Sequence, residues 1–388
     1  MKKIFFLTRV LFFLLFAGGC IVARAGADLS QLPVEGRTGK PEVVATFYEA
    51  MPTGVTVADN GRIFVTFPRW GDDVPFTLAE LVDGKAVAYP DAEVNQPIEK
   101  QAATHFISVQ SAVADGRGTL WVLDAASPNF TPIPGAAKLV AVDLHTNRIV
   151  KTFVFPPNVI LPQTYVNDVR IDLRAGKSGI AYVTDASVTG TGGIIVLDLA
   201  TGRAIRRLTG DVSTSAEKGF IPVVEGETLR QYGEDGTPRA FHVASDGIAL
   251  SPDGDTLYYS PLAGRHLYAV STALLRDPAV SERRLSAAVR DLGEKGASDG
   301  LEMDASGAVY AGDYEHNAIR RREPDGSWTT IVHAPYILWP DTLSIARDGY
   351  LYFTVNQVHR QATFHRGTDL RQKPYALLRV RINAGPAG

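Results

Sequence analysis

Residues 299–313 read DGLEMDASGAVYAGD, and residues 246–261 read DGIALSPDGDTLYYSP. Each opens on an Asp-Gly pair, alternates apolar residues over one strand length and turns at a small polar cluster. Each then enters a second strand rich in Tyr, Val and Ala. Period-two alternation on both sides of such a turn is a hairpin pattern. The same pattern recurs as TGVTVADNGRIFVTF (53–67), QSAVADGRGTLWVLD (110–124), NDVRIDLRAGKSGIAYVTD (167–185) and DTLSIARDGYLYFTV (341–355). Counted from the second residue of each copy, the six begin at 54, 111, 168, 247, 300 and 342.

Further strand pairs lie between the copies: KLVAVDL with NRIVKTFVF, GGIIVLDL with RAIRRLTG, and NAIRRRE with SWTTIV. Each unit therefore holds about four short strands joined by Asp-Gly, Asn-Gly and Thr-Gly turns. Four-stranded units repeated radially make a β-propeller. The expectation is an all-β, six-bladed β-propeller with four-stranded antiparallel blades. No long 3.6-residue periodicity competes with it, and LSAAVRDLGEK (285–295) reads as a short connector. The last copy is followed by one more strand, YALLRVRI. EVVATFY (42–48) precedes the first copy and is expected to complete the last blade, closing the ring and hiding its sheet edges. The interval of 79 residues between the third and fourth copies holds an insertion at about 210–244, a lid over a site or a surface excursion.

The 388 residues, 45% apolar and 21% charged, exclude a disordered or fibrous chain. Length alone suggests two or three domains at roughly 150 residues each. The repeats replace that count with one domain over 28–383, followed by a flexible tail at 384–388. Net charge is −3 with no long basic run, which argues against nucleic acid.

Residues 1–27 read as a secretory signal. Lys2, Lys3 and Arg9 precede an apolar run at 10–17, and small-x-small sites follow at 23–27. The run is too short to span a bilayer, and no second apolar stretch approaches the ~20 residues required. An exported protein, periplasmic or secreted, is expected. Removing 1–25 takes four cations and no acid, so net charge moves from −3 to −7. The single cysteine, Cys20, lies in this segment. It is lost on cleavage, or the stretch 16–20 is a lipoprotein box and Cys20 becomes a lipid anchor. Either way the folded part has no disulfide and depends on its core.

The repeat units together resemble the Yellow/major royal jelly protein family, in its bacterial form. The stretches that carry the likeness are THFISVQSAVADGRGTLWVLD (104–124), YVNDVRIDL (165–173), AYVTD (181–185), SDGIALSPDGDTLYYSPL (245–262), SDGLEMDASGAVYAGDYEHNAIRR (298–321) and WPDTLSIARDGYLYFTVNQ (339–357). The resemblance implies a six-bladed propeller, in agreement with the repeat count. It also implies a spread of roles: dopachrome-type conversion, binding of amine ligands, or nutritive and structural duties. Insect disulfides do not transfer to a chain without the cysteines.

In a propeller the innermost strands line an axial channel, and their entries face one mouth. The repeat alignment puts Asn167 and Asp168, Asp246, Asp299 and Asp341 there, with Thr53 and Gln110 or Ser111 from the first two copies. Converging carboxylates need a cation, shared protons or hydrogen bonds. Oxygens of Asn167, Asp246 and Asp299 would suit Ca²⁺ or another divalent cation. Gluconolactonase-like lactonases of this fold use such a metal, but begin the first blade with Glu where this chain has Thr53-Gly54. A purely architectural reading is that Asp before Gly caps a turn. Loops after the second strands reach the same mouth, which adds His316, Asn317, Asn356 and His359 as pocket-lining candidates. Aromatics cluster nearby: Tyr165, Tyr314, Tyr336, Trp339 and Phe364. Acids beside aromatics suit a cationic or aromatic small molecule. The functions expected are small-ligand binding with dopachrome-type tautomerase activity, metal-dependent lactone hydrolysis, or a non-catalytic interaction platform.

Overall fold

The computed structural model describes residues 40–233 and 235–387. The signal and lipoprotein readings of residues 1–27, and Cys20 with them, lie outside the described residues. Six four-stranded antiparallel sheets follow one another around a ring. Their innermost strands are Val55–Val57, Val109–Ala114, Val166–Asp172, Ser245–Leu250, Ser298–Met303 and Pro340–Ile345. All six copies read in the sequence are blades, and each copy supplies the inner strand and its neighbour. The last blade takes Tyr375–Arg381 as its third strand and Glu42–Phe47 as its fourth, paired antiparallel from Glu42 opposite Arg379 to Phe47 opposite Tyr375. The expected closure is thus observed, and both ends of the ring share one sheet.

Burial falls from axis to rim. Every residue of Ile180–Asp185, a second strand, is buried, whereas most of Arg148–Val154, an outer strand, is exposed. The stretch 285–295, expected as a connector, instead holds the end of a one-turn helix, Glu282–Ser286, and then the outer strand Arg290–Glu294 of the fourth blade; a second one-turn helix, Thr272–Arg276, lies before it. No helix among the described residues is long and apolar enough to cross a membrane. Toward the C-terminus the Ala305 N–H donates to the Gly385 carbonyl, and Asp304 bridges to Pro386.

Two devices join the blades and set the channel. Second-strand threonines donate to the entry carbonyl of the following blade: Thr66 to Gln110, Thr184 to Asp246 and Thr354 to Thr53. The last of these crosses the closure. The glycine after Asp246 and after Asp299 is the second device. A Cβ on Gly247 would lie 2.4 Å from the Asp299 carbonyl oxygen, and one on Gly300 2.5 Å from that of Asp341. Only glycine lets adjacent inner strands approach this closely. Both Asp-Gly pairs thus sit at the start of an inner strand, the position the architectural reading also gave them.

Candidate functional site

At five of six entries the pairing of inner and second strand slips, between Val109 and Ser111, Val166 and Val169, Ser245 and Ile248, Ser298 and Leu301, and Pro340 and Leu343. Such bulges re-aim side chains. Here they deliver Asn167, Asp246, Asp299 and Asp341 to the floor of one cavity of about 430 Å³. Its walls are aromatic: Trp70, Phe130, Tyr165, Phe241 and Phe364.

The floor is held by directed donors. Asn167 Nδ2 donates to Asp246 at 2.6 Å, Trp339 Nε1 to Asp299 at 2.7 Å, and Asn356 Nδ2 to Asp341 at 2.6 Å. All three acids are buried. Burial raises each carboxyl, and mutual repulsion adds to it at Asp246 and Asp341. Asp299 is pushed up to about 7, burial outweighing the Trp339 donor. Asp246 and Asp299 shift one another, so their protons belong to the pair rather than to either residue.

Asp168 points the other way down the channel. Burial raises its carboxyl, Arg170 and Ser111 work against that rise, and both of these residues line the opposite mouth. Asn356 sits behind Asp341 as its donor and does not line the cavity. His359 is buried and stacks on Trp339 with ring centres 5.8 Å apart, while Trp339 stacks on Tyr314 at 4.2 Å. This column backs Asp299. His359 Nε2 pairs with Glu225 at 2.8 Å, and burial holds the imidazole below its usual range. His316 and Asn317 do not join the site. The His316 ring is 70% exposed and clipped to Asp313 at 3.0 Å, and Asn317 occupies a left-handed turn position at φ 50°. Tyr336 is 48% exposed and outside the cavity lining.

As arranged, Asn167 offers Asp246 its nitrogen rather than its oxygen. Among the described residues no three His, Cys, Asp or Glu side chains are grouped to hold a metal ion. The donors present fit shared protons rather than a cation cage, so no step is routed through a metal.

Several site residues escaped the sequence reading. Phe241 and Gln231 come from the insertion, which places them on the cavity wall. Its two small hairpins, Val223–Val224 with Glu227–Thr228 and Arg230–Tyr232 with Pro238–Ala240, carry no repeat signature. Trp70 and Phe130 stack 4.9 Å apart from loops of the first two blades, and Trp70 Nε1 donates to the Tyr165 hydroxyl, which donates to Gln110. Lys295 also escaped: it is wholly buried, and its ammonium donates to the Gly296 carbonyl.

Ring count, closure and axial mouth define the class: a six-bladed propeller with an acid-floored, aromatic-walled axial pocket. The model of the major royal jelly protein family matches residues 107–385, and the chain belongs to that family. Protein yellow of Drosophila erecta is 31% identical over 258 residues, 60% of this chain and 43% of the relative. Protein yellow of Drosophila melanogaster is 30% identical over the same length and shares. The match thus spans less than half of these relatives. Among solved structures, a gluconolactonase of Xanthomonas campestris superposes with a TM-score of 0.53 at 12% identity, over 89% of this chain and 91% of that one. Regucalcin of Agrobacterium tumefaciens, a calcium-binding protein, gives 0.52 at 14%, over 89% and 95%. These two likenesses concern the fold.

Proposed function

We propose that this protein binds a small aromatic amine at the axial mouth. The observation that carries the reading is the meeting of three buried carboxyls with five aromatic walls around one cavity. An aromatic ring is held by the walls. An ammonium group on the floor replaces a proton of the Asp246–Asp299 pair, and Asp341 adds charge. The exchange predicts that binding releases protons and tightens as pH rises toward neutrality.

The same floor suits dopachrome-type tautomerisation. That reaction moves one proton and leaves atoms and electrons balanced. The ionised member of the pair takes a proton from carbon, and the protonated member returns one at another position. The N-terminal segment supports action after export.

Calorimetric titration with dopamine, catechol and glucono-δ-lactone tests the reading. Dopamine is expected to bind at least about tenfold more tightly than catechol, or roughly 1.4 kcal/mol for the ammonium. Catechol binding as well as dopamine removes the acid floor from the account. Lactone turnover with no amine binding favours the hydrolase instead.

A further inference from the structure

The ring of strand entries is lopsided. Blades four, five and six contribute Asp246, Asp299 and Asp341, whereas blades one, two and three contribute Thr53, Gln110 and Asn167. In a ring of six blades the second entry stands opposite the fifth, so Gln110 lies across the axis from Asp299. Gln110 lines the cavity and is 6% exposed, brought there by the slip between Val109 and Ser111.

Two hydrogen bonds in series fix the direction of its amide. An indole N–H can only donate, and that of Trp70 donates to the Tyr165 hydroxyl at 2.9 Å. Burial raises the Tyr165 hydroxyl, so it keeps its proton. That proton goes to Gln110 Oε1 at 2.8 Å. A reversed amide would set two donors on one hydroxyl and leave the Tyr165 proton buried without an acceptor, which is costly. Phe130 braces the series, stacked on Trp70 at 4.9 Å and tilted against Tyr165 at 5.3 Å.

With Oε1 taken, Gln110 turns Nε2 to the cavity, and among the described residues no protein acceptor meets it. The other amides near the floor differ. Asn167 gives its Nδ2 to Asp246, and Asn356 gives its own to Asp341. The cavity therefore has carboxyls on one side and, across the axis, an oriented donor beside an aromatic trio. A ligand that covers this N–H takes it from water and must offer an acceptor in return, or leave the donor unpaired.

We propose that Gln110 is a specificity-determining residue of the axial site, and that the ligand is an amine whose aromatic ring carries an oxygen at the end away from the ammonium, as in phenolic amines. The ammonium meets the acids, the ring lies against the aromatic walls, and the ring oxygen accepts from Gln110 Nε2. This assignment rests on the amine reading above and narrows it to one ligand class.

The test is calorimetric titration of dopamine and phenethylamine into wild type, Gln110→Met and Tyr165→Phe. The two amines share ring and ammonium and differ in ring oxygen. Wild type is expected to bind dopamine at least about tenfold more tightly than phenethylamine. In Gln110→Met that ratio falls below about threefold, with the loss falling on dopamine. Tyr165→Phe keeps the wall but frees the amide to turn, so the ratio falls by at least about threefold although Gln110 is intact. A residue that only supports the fold would weaken both amines alike and leave the ratio as it was. That result would overturn the assignment, as would equal affinities in wild type. If Gln110→Met does not fold, the ratio in Tyr165→Phe decides. Should wild type bind neither amine, the amine reading itself falls, and this assignment with it.

Discussion

Two rings of buried aspartate run through this molecule, and they are built in opposite ways. Asp124, Asp185 and Asp313 end second strands. Asp124 accepts from the Ile107, Ser108 and Ala126 N–H groups and from Lys138, and Asp185 from the Tyr165 and Ser187 N–H groups and from Arg206. Asp313 accepts from His316, with Arg320 3.9 Å away. Each has backbone donors and a cation of its own, so each stitches a loop to a blade. Asp246, Asp299 and Asp341 start inner strands, touch one another's fields, and, among the described residues, receive side-chain donors only: Asn167 to Asp246, Trp339 to Asp299, and Asn356 and Thr342 to Asp341. Repetition from blade to blade is therefore a poor guide to role. Both sets repeat, but only the second is left with unspent capacity facing a cavity.

That contrast breaks first at the paired set. Asp124→Asn leaves Lys138 buried without its carboxylate and is expected to lose about 3–5 kcal/mol in urea denaturation. The dopamine affinity of the folded fraction is expected to be unchanged. A neutral Asp124→Asn would erase the distinction between the rings.

The axial set is expected to show itself in pH. Its carboxyls are raised in the folded state, so between about pH 4 and 7 the folded protein holds protons that the unfolded chain has released. Stability is full at the acid end of that window and declines as pH rises through it. At roughly 2–4 °C per kcal/mol, Tm should fall by several degrees from pH 4.5 to 7. Asp299→Asn should shrink the fall. Burial also raises Asp185, but that contribution is common to both proteins and cancels in the comparison. An equal slope in wild type and variant would remove Asp299 from the titrating set.

The smallest effect is expected at the cover. Glu225 on the insertion grips Arg360 and His359, and those partners push its carboxyl down to about 2. The pair is partly exposed, so Glu225→Gln should cost about 0.5–1 kcal/mol and weaken dopamine less than about threefold. A larger loss of binding would make the insertion a working lid rather than a wall.

The propeller was legible because its causes are local and repeated. Alternation, turn dipeptides and the Asp-Gly entries recur, and closure by EVVATFY followed from one missing strand. The floor was legible for the same reason, since Asn167, Asp246, Asp299 and Asp341 occupy equivalent repeat positions. His316 and Asn317 were misplaced because the fifth blade turns back tightly: Asp313 captures His316 before the loop can reach the axis. The walls were largely hidden, because Trp70, Phe130 and Phe241 come from loops whose paths no period encodes.

The most direct test of the central claim is calorimetric titration of dopamine into wild type and Asp299→Asn at pH 7. The substitution keeps an oxygen for the Trp339 indole, so the fold should stand, with Tm no lower than wild type. The account predicts affinity weaker by at least about tenfold and reduced proton release. Unchanged affinity in a folded Asp299→Asn protein would contradict it.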